Sequence, residues 1–123
     1  MTFSVPNTLG VQAQATTGGV IRSVEQLTKL QLQALESDLP LIVIGDGSNI
    51  VPANQTRACI GVMRIPGIYT RKASADAVCV EVAAGESWHA LVLFCLARGL
   101  HGLENLALIP GRVGAAPIQN IGA

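Results

Sequence analysis

The turn Gly45-Asp46-Gly47-Ser48-Asn49 directly follows the apolar run Leu41 to Ile44, and its residue types suit the binding of a diphosphate. A diphosphate needs several N–H donors converging on its oxygens, and a turn without bulky Cβ groups lets backbone amides form such a nest. Gly45, Gly47 and Ser48 suit that geometry, and Ser48 and Asn49 add side-chain hydrogen-bonding groups. Asp46 counts slightly against a phosphate. The same residue types also favour an ordinary turn after a strand for conformational reasons alone, so both readings stand at this point. A Walker loop needs Gly-Lys-Ser/Thr, and a dinucleotide-binding Rossmann turn needs a third glycine opening a helix. Neither requirement is met. Ile50-Val51-Pro52 follows instead, so a phosphate here would lack the dipole of a following helix, which directs attention to a different nucleotide fold.

The second candidate is the stretch from Leu106 to Ala123. Pro110, Gly111, Gly114, Pro117 and Gly122 break every regular element there, and its small residues permit close backbone approach. A shaped loop against which a flat cofactor lies is the expectation. Arg112, between two glycines, suits either a phosphate contact or a solvated loop position. Histidine is a common acid–base side chain, but His89 falls in an apolar helix and His101 beside a turn, so structural or surface roles are favoured. Trp88 reads as a packing aromatic rather than an adenine neighbour. Glu86 and Glu104 have no partner at a spacing that suggests paired acid–base chemistry.

These loops need elements to position them. Val20 and Ile21 end a first strand, and Ser23 with Gln26 three residues later makes a capping box that opens a helix. Val24, Leu27, Leu30, Ala34 and Leu35 lie on nearly one face at helical period, and Ser37 to Pro40 ends that helix. Leu41 to Ile44, three of its four residues β-branched, reads as a strand buried on both faces. The resulting order is a βαβ crossover. Further strands are expected at Ala58 to Met63 and Val78 to Ala83. A second helix is expected over about residues 87–98, with Ser87 as N-cap, Trp88, Leu91, Val92 and Cys95 inward, and Gly99 just past its end. A break near Pro66-Gly67 divides the chain into residues 1–66 and 67–123.

Composition narrows the function classes. Half of the 123 residues are hydrophobic, and eight basic residues balance eight acidic ones, so there is no field to gather a polyanion. With 3% aromatic residues, stacking platforms for single strands are also missing. Nucleic acid is not an expected partner. Cys59, Cys79 and Cys95 match no zinc-ligand pattern and read as reduced, buried thiols. Met1 to Gly10 lacks the features of a signal peptide, and no apolar run reaches about 18 residues, so a soluble cytoplasmic protein with no membrane partner is expected.

Several motifs together resemble one family. Gly-Asp-Gly-Ser-Asn at 45–49, the Gly102-Leu103-Glu104-Asn105-Leu106 lead-in and the loop at 109–122 look like those of the UDP-N-acetylenolpyruvoylglucosamine reductase (MurB) family. Asn7-Thr8-Leu9-Gly10 resembles its Asn-Thr-Phe-Gly opening, and Gly85-Glu86-Ser87-Trp88-His89 adds agreement before the second helix. The resemblance covers nearly the whole chain. It implies an α+β, FAD-binding domain of the vanillyl-alcohol-oxidase (PCMH) type, of which this chain is the N-terminal portion. It also implies an oxidoreductase of peptidoglycan synthesis, in which NADPH reduces FAD and the reduced flavin passes a hydride to the enolpyruvyl group of a UDP-sugar.

Carried over by motif, Gly45, Asp46, Gly47, Ser48 and Asn49 would hold the FAD diphosphate. Pro110, Gly111, Gly114, Ala115 and Ala116 would approach the diphosphate and flavin side, and Gln119, Asn120 and Gly122 would border the flavin ring. Leu9 stands where the family usually has Phe, Asp46 is often Glu there, and Ala115-Ala116 lacks hydroxyls found in some relatives. The family's catalytic residues lie beyond position 123, so none is named here, and the chain alone is expected to lack turnover. The rival expectation is a non-enzymatic nucleotide-binding or interaction module.

Overall fold

In the computed structural model, which describes residues 2–121, the chain opens with a two-residue strand, β1 (Phe3–Ser4). Asn7 shapes the loop that follows. Its side-chain amide donates to the Val5 and Val11 carbonyls at 3.1 and 2.9 Å, and its Oδ1 accepts from the Val11 N–H. The chain then returns antiparallel as β2 (Gln14–Ile21), a strand longer than the Val20-Ile21 end that its sequence advertises.

Helix α1 (Val24–Glu36) starts where the capping residues put it. Ser23 Oγ accepts from the Gln26 N–H at 3.2 Å. The reciprocal half of the box is displaced by one residue, because the Gln26 side chain accepts from the N–H of Arg22 and not from that of Ser23. The inward face is narrower than expected. Leu30 and Ala34 are buried with Leu27 packed beside them, whereas Val24 and Leu35 are 64% and 68% exposed. At about 100° per residue, Val24 and Leu35 sit roughly a quarter turn from the seam made by Leu27, Leu30 and Ala34.

Two parallel strands follow, β3 (Leu41–Ile44) and β4 (Gln55–Met63). The sheet order is β1-β2-β4-β3, with β2 parallel to β4. The β2-α1-β3 crossover therefore exists but skips a place, and β4 enters between its two strands. This overturns the expectation that Leu41 to Ile44 is buried on both faces: β3 is the sheet edge, and Ile42 and Val43 are 42% and 45% exposed. The doubly buried strand is β4, where Ala58, Cys59, Ile60 and Val62 are all buried. One face packs Ile21, Cys59 and Leu41 against α1; the other packs Ala15, Ile60 and Val62 against Val5, Phe3 and Ile50. Gly61 permits the first arrangement, since a Cβ there would lie 2.7 Å from Ile21 Cδ1 and 3.2 Å from Leu30 Cδ2.

Contacts between residues divide the chain into two compact units, Met1–Ile65 and Pro66–Ala123. In the second, β5 (Ile68–Lys72), a strand that was not expected from the sequence, pairs antiparallel with β6 (Val78–Val82). Helix α2 (Trp88–Ala97) matches its expected span, with Ser87 Oγ accepting from the Ala90 N–H and Gly99 at φ +65° past its end. Trp88, Leu91, Val92 and Cys95 are its buried residues, and Ile68, Val80 and Val82 pack against them. Beyond α2 the described residues form two short 3-10 turns, Glu104–Leu106 and Val113–Ala115.

The cysteines are free, as expected, but only Cys59 and Cys95 are buried; Cys79, on β6, is exposed. The two-stranded ribbon covers only one face, and Cys79 alternates with Val80 onto the other. Burial pushes the Cys59 thiol above its ordinary pKa, which lowers its thiolate fraction further. A thiol reagent added to the native chain is expected to modify Cys79 rapidly and to reach Cys59 and Cys95 only on denaturation. Rapid labelling of all three under native conditions would contradict the packing described.

Candidate functional site

The turn at 45–49 continues from the C-terminal end of β3, the place where parallel sheets present loops to ligands. Gly47 has φ +71°, is buried, and leaves no room for a side chain: an added Cβ would overlap the Pro6 carbonyl oxygen and lie 2.8 Å from Asn7 Cα. Its own carbonyl accepts from the Thr8 N–H at 3.2 Å. The Asn7 loop therefore presses against the turn, which gives the Asn7-Thr8-Leu9-Gly10 motif a local purpose. Among the described residues, the N–H groups of Gly47 and Asn49 have no protein acceptor. Amides held in place in this way suit an anion.

Asp46 is placed differently from its neighbours. Its Oδ1 accepts from Arg64 Nη2 at 2.8 Å, and both side chains are half-buried. Arg64 Nη1 also donates to the carbonyls of Gly45 and Met63, at 3.2 and 2.7 Å. The negative charge that counts against a phosphate is thus matched by a neighbouring guanidinium. Nothing in the amino-acid order singles out Arg64, because it lies 18 residues from Asp46 and belongs to no motif.

The second loop belongs to the other unit and is built around the start of α2. Gly111, at φ +115° and buried, gives its carbonyl to the Trp88 N–H at 3.0 Å. The Val113 N–H donates to Glu86 O and the Gly114 N–H to Ala84 O, while Ser87 and Arg112 form a single β-bridge. A Cβ on Gly114 would lie 2.7 Å from that of Ala84, so Gly114 serves this backbone approach. The Trp88 indole N–H donates to Leu106 O at 2.9 Å. Arg112 Nη1 donates to Gly85 O at 3.1 Å, an anchoring role within the loop.

Gln119 folds its carboxamide over Gly111, with Cδ 3.0 Å from where a Cβ would stand. Ala115 and Ala116 are half-buried, Pro110 and Asn120 are exposed, and Gly122 lies outside the described residues. Glu86 Oε1 accepts from the Gly67 N–H at 2.7 Å. His89 Nδ1 accepts from the N–H of Leu108, and His101 is exposed. The Gly102 N–H, donating to Glu104 at 2.6 Å, holds that carboxyl below its ordinary pKa. Among the described residues, no group of three His, Cys, Asp or Glu could hold a metal, and no helix is long and apolar enough to cross a membrane.

A family model described as an FAD binding domain matches residues 9–123. Curated relatives named UDP-N-acetylenolpyruvoylglucosamine reductase include one from Cupriavidus pinatubonensis, 49% identical over 95% of this chain and 34% of its own length. Others come from Pseudomonas syringae pv. tomato, 44% identical over 95% of the chain and 34% of the relative, and from Ralstonia nicotianae, 44% identical over 95% and 35%. The chain spans about a third of the length of the curated relatives it matches.

Proposed function

This chain belongs to the FAD binding domain family, and from that premise we propose that it is the FAD-binding part of a UDP-N-acetylenolpyruvoylglucosamine reductase. The observation that carries the reading is the family match running from residue 9 through both glycine loops. The mixed α/β architecture accords with an FAD binding domain, and we assign it to the vanillyl-alcohol-oxidase type, with residues 1–66 as its first subdomain and 67–123 as the start of its second.

In this reading the backbone of Gly45, Asp46, Gly47, Ser48 and Asn49 holds the FAD diphosphate. Pro110, Gly111, Gly114, Ala115 and Ala116 approach the diphosphate and flavin side, and Gln119, Asn120 and Gly122 border the flavin ring. The geometry of the turn supports this role, since Gly47 adopts a conformation that L side chains avoid, and its N–H and that of Asn49 have no internal acceptor among the described residues. When bound, FAD supplies hydride transfer from NADPH to the enolpyruvyl group of the UDP-sugar. This chain contributes cofactor binding and no catalytic residue, and it acts in the cytoplasm on a peptidoglycan precursor, without nucleic acid or membrane as partner.

Titration of FAD into the full chain, followed by flavin absorbance and fluorescence, tests the cofactor assignment. A folded sample that leaves FAD free in solution sinks it. The parent activity is tested in the full-length protein as NADPH oxidation that requires the enolpyruvyl UDP-sugar; oxidation indifferent to that substrate contradicts the assignment. The second reading, a non-enzymatic interaction module, has one observation on its side. The β3 edge, uncharged and with Ile42 and Val43 exposed, has no paired strand on its outer side among the described residues, as an edge that takes another strand would.

A further inference from the structure

We propose that Arg64 is a positioning residue for the diphosphate-binding turn: it fixes the direction in which the chain leaves β3 and so sets the turn's amides before a ligand arrives. The inference rests on the FAD-binding reading of that turn.

The paired register of β3 and β4 ends at Ile44 and Val62. As an edge strand, β3 has no paired strand on its other side among the described residues, so backbone pairing stops guiding the chain just where Gly45 begins. Arg64 takes over from that ladder. Its own N–H donates to Ile21 O at 2.7 Å, tying it to the end of β2. Its Nη1 donates to Met63 O at the end of β4 and to Gly45 O beyond the end of β3, and Nη2 donates to Asp46 at 2.8 Å. One residue thus joins the C-terminal ends of three parallel strands. A guanidinium is suited to this because its donors diverge in one rigid plane, which an ammonium cannot reproduce. With the Thr8 N–H also donating to Gly47 O, the turn is held at Gly45, Asp46 and Gly47. A binding loop fixed beforehand loses less entropy when ligand arrives.

A simpler role, attraction of the diphosphate by positive charge, makes the opposite predictions for two variants. Under charge attraction, Arg64→Lys retains affinity and Asp46→Asn, which removes a nearby negative charge, tightens binding. Under positioning, both variants weaken binding, because Arg64→Lys removes the planar fork and Asp46→Asn replaces a charge-assisted hydrogen bond with a weaker neutral one. The test measures FAD affinity of the full chain by flavin fluorescence, together with the 31P NMR shifts of the bound diphosphate, well below the unfolding temperature of each variant. Arg64→Ala and Arg64→Lys are expected to weaken FAD by about tenfold or more, Asp46→Asn by a smaller factor, and all three to move the 31P resonances. Wild-type affinity and unshifted resonances in Arg64→Lys, or tighter binding by Asp46→Asn, overturns the proposal while leaving the FAD reading intact. A wild-type chain that is folded yet binds no FAD overturns both.

Discussion

Gly47→Val is expected to abolish flavin binding and to destabilise the first unit by roughly 2–5 kcal/mol, the sum of a left-handed backbone penalty and a local overpacking penalty. Gly47 carries φ +71°, and the overlap of an added Cβ is with backbone, the Pro6 carbonyl and Asn7 Cα, rather than with the far end of a flexible side chain. Nothing nearby can move aside without disturbing the Asn7 loop. Gly10→Ala provides the internal control. Gly10 has almost the same backbone angle, φ +70°, but nothing within 4 Å of an added Cβ, so it should lose only the conformational part, about 1–2 kcal/mol, and retain FAD. Denaturant unfolding alongside FAD titration separates the two. Equal stability losses for the two variants, or normal FAD affinity in Gly47→Val, would show that the close approach to Pro6 and Asn7 does not shape the turn.

Trp88→Ala should be the most damaging single change in the second unit, costing about 3–5 kcal/mol as expected for removal of a large core aromatic. Trp88 is the only tryptophan and is 8% exposed in the cluster made by Leu91, Val92, Cys95 and the residues around them. It also spans the second loop: its indole N–H holds Leu106 O and its backbone N–H holds Gly111 O. Trp88→Phe keeps most of the apolar volume and loses the indole donor, so a loss of about 1–2 kcal/mol is expected. Hydrogen exchange reports the outcome without relying on the fluorophore that the substitution removes. Protection of α2 amides should fall in the order wild type, Trp88→Phe, Trp88→Ala. Retention of wild-type protection in Trp88→Ala would mean that the indole is not what anchors this loop.

The two glycine loops owe their shapes to different forces. The first is held between a charged clamp at Arg64 and a backbone contact at Thr8. The second is strung along the entry to α2, through Ala84 and Glu86 before the helix and Trp88 at its first position. In both, glycine stands where another strand of backbone or a folded-over side chain comes too close for a Cβ. At Gly111 an added Cβ would meet the carboxamide of Gln119 rather than backbone, so Gly111→Ala should carry the left-handed backbone penalty of its φ +115° with a smaller overpacking penalty than Gly47→Val.

Much of this was legible locally. Ser23 and Ser87 cap their helices, Gly99 closes α2, and the spacing of Trp88, Leu91, Val92 and Cys95 picked out the face that is buried. Capping and helical periodicity act over a few residues, so the amino-acid order alone determines them. The glycine turns and the family they resemble were equally plain, because they are contiguous motifs. Tertiary structure decided what depends on distant neighbours. Local apolarity marks Leu41 to Ile44 as a strand but carries nothing about strand order, and β4 took the centre of the sheet while β3 was left at its edge. Asp46 reads as an obstacle to phosphate until Arg64 arrives from the end of β4, and Gly47 reads as a generic turn residue until Pro6 and Asn7 close over it. Those pairings form between segments that meet only when the sheet assembles, and it is the sheet, more than the turn, that determines where the amides of residues 45–49 point.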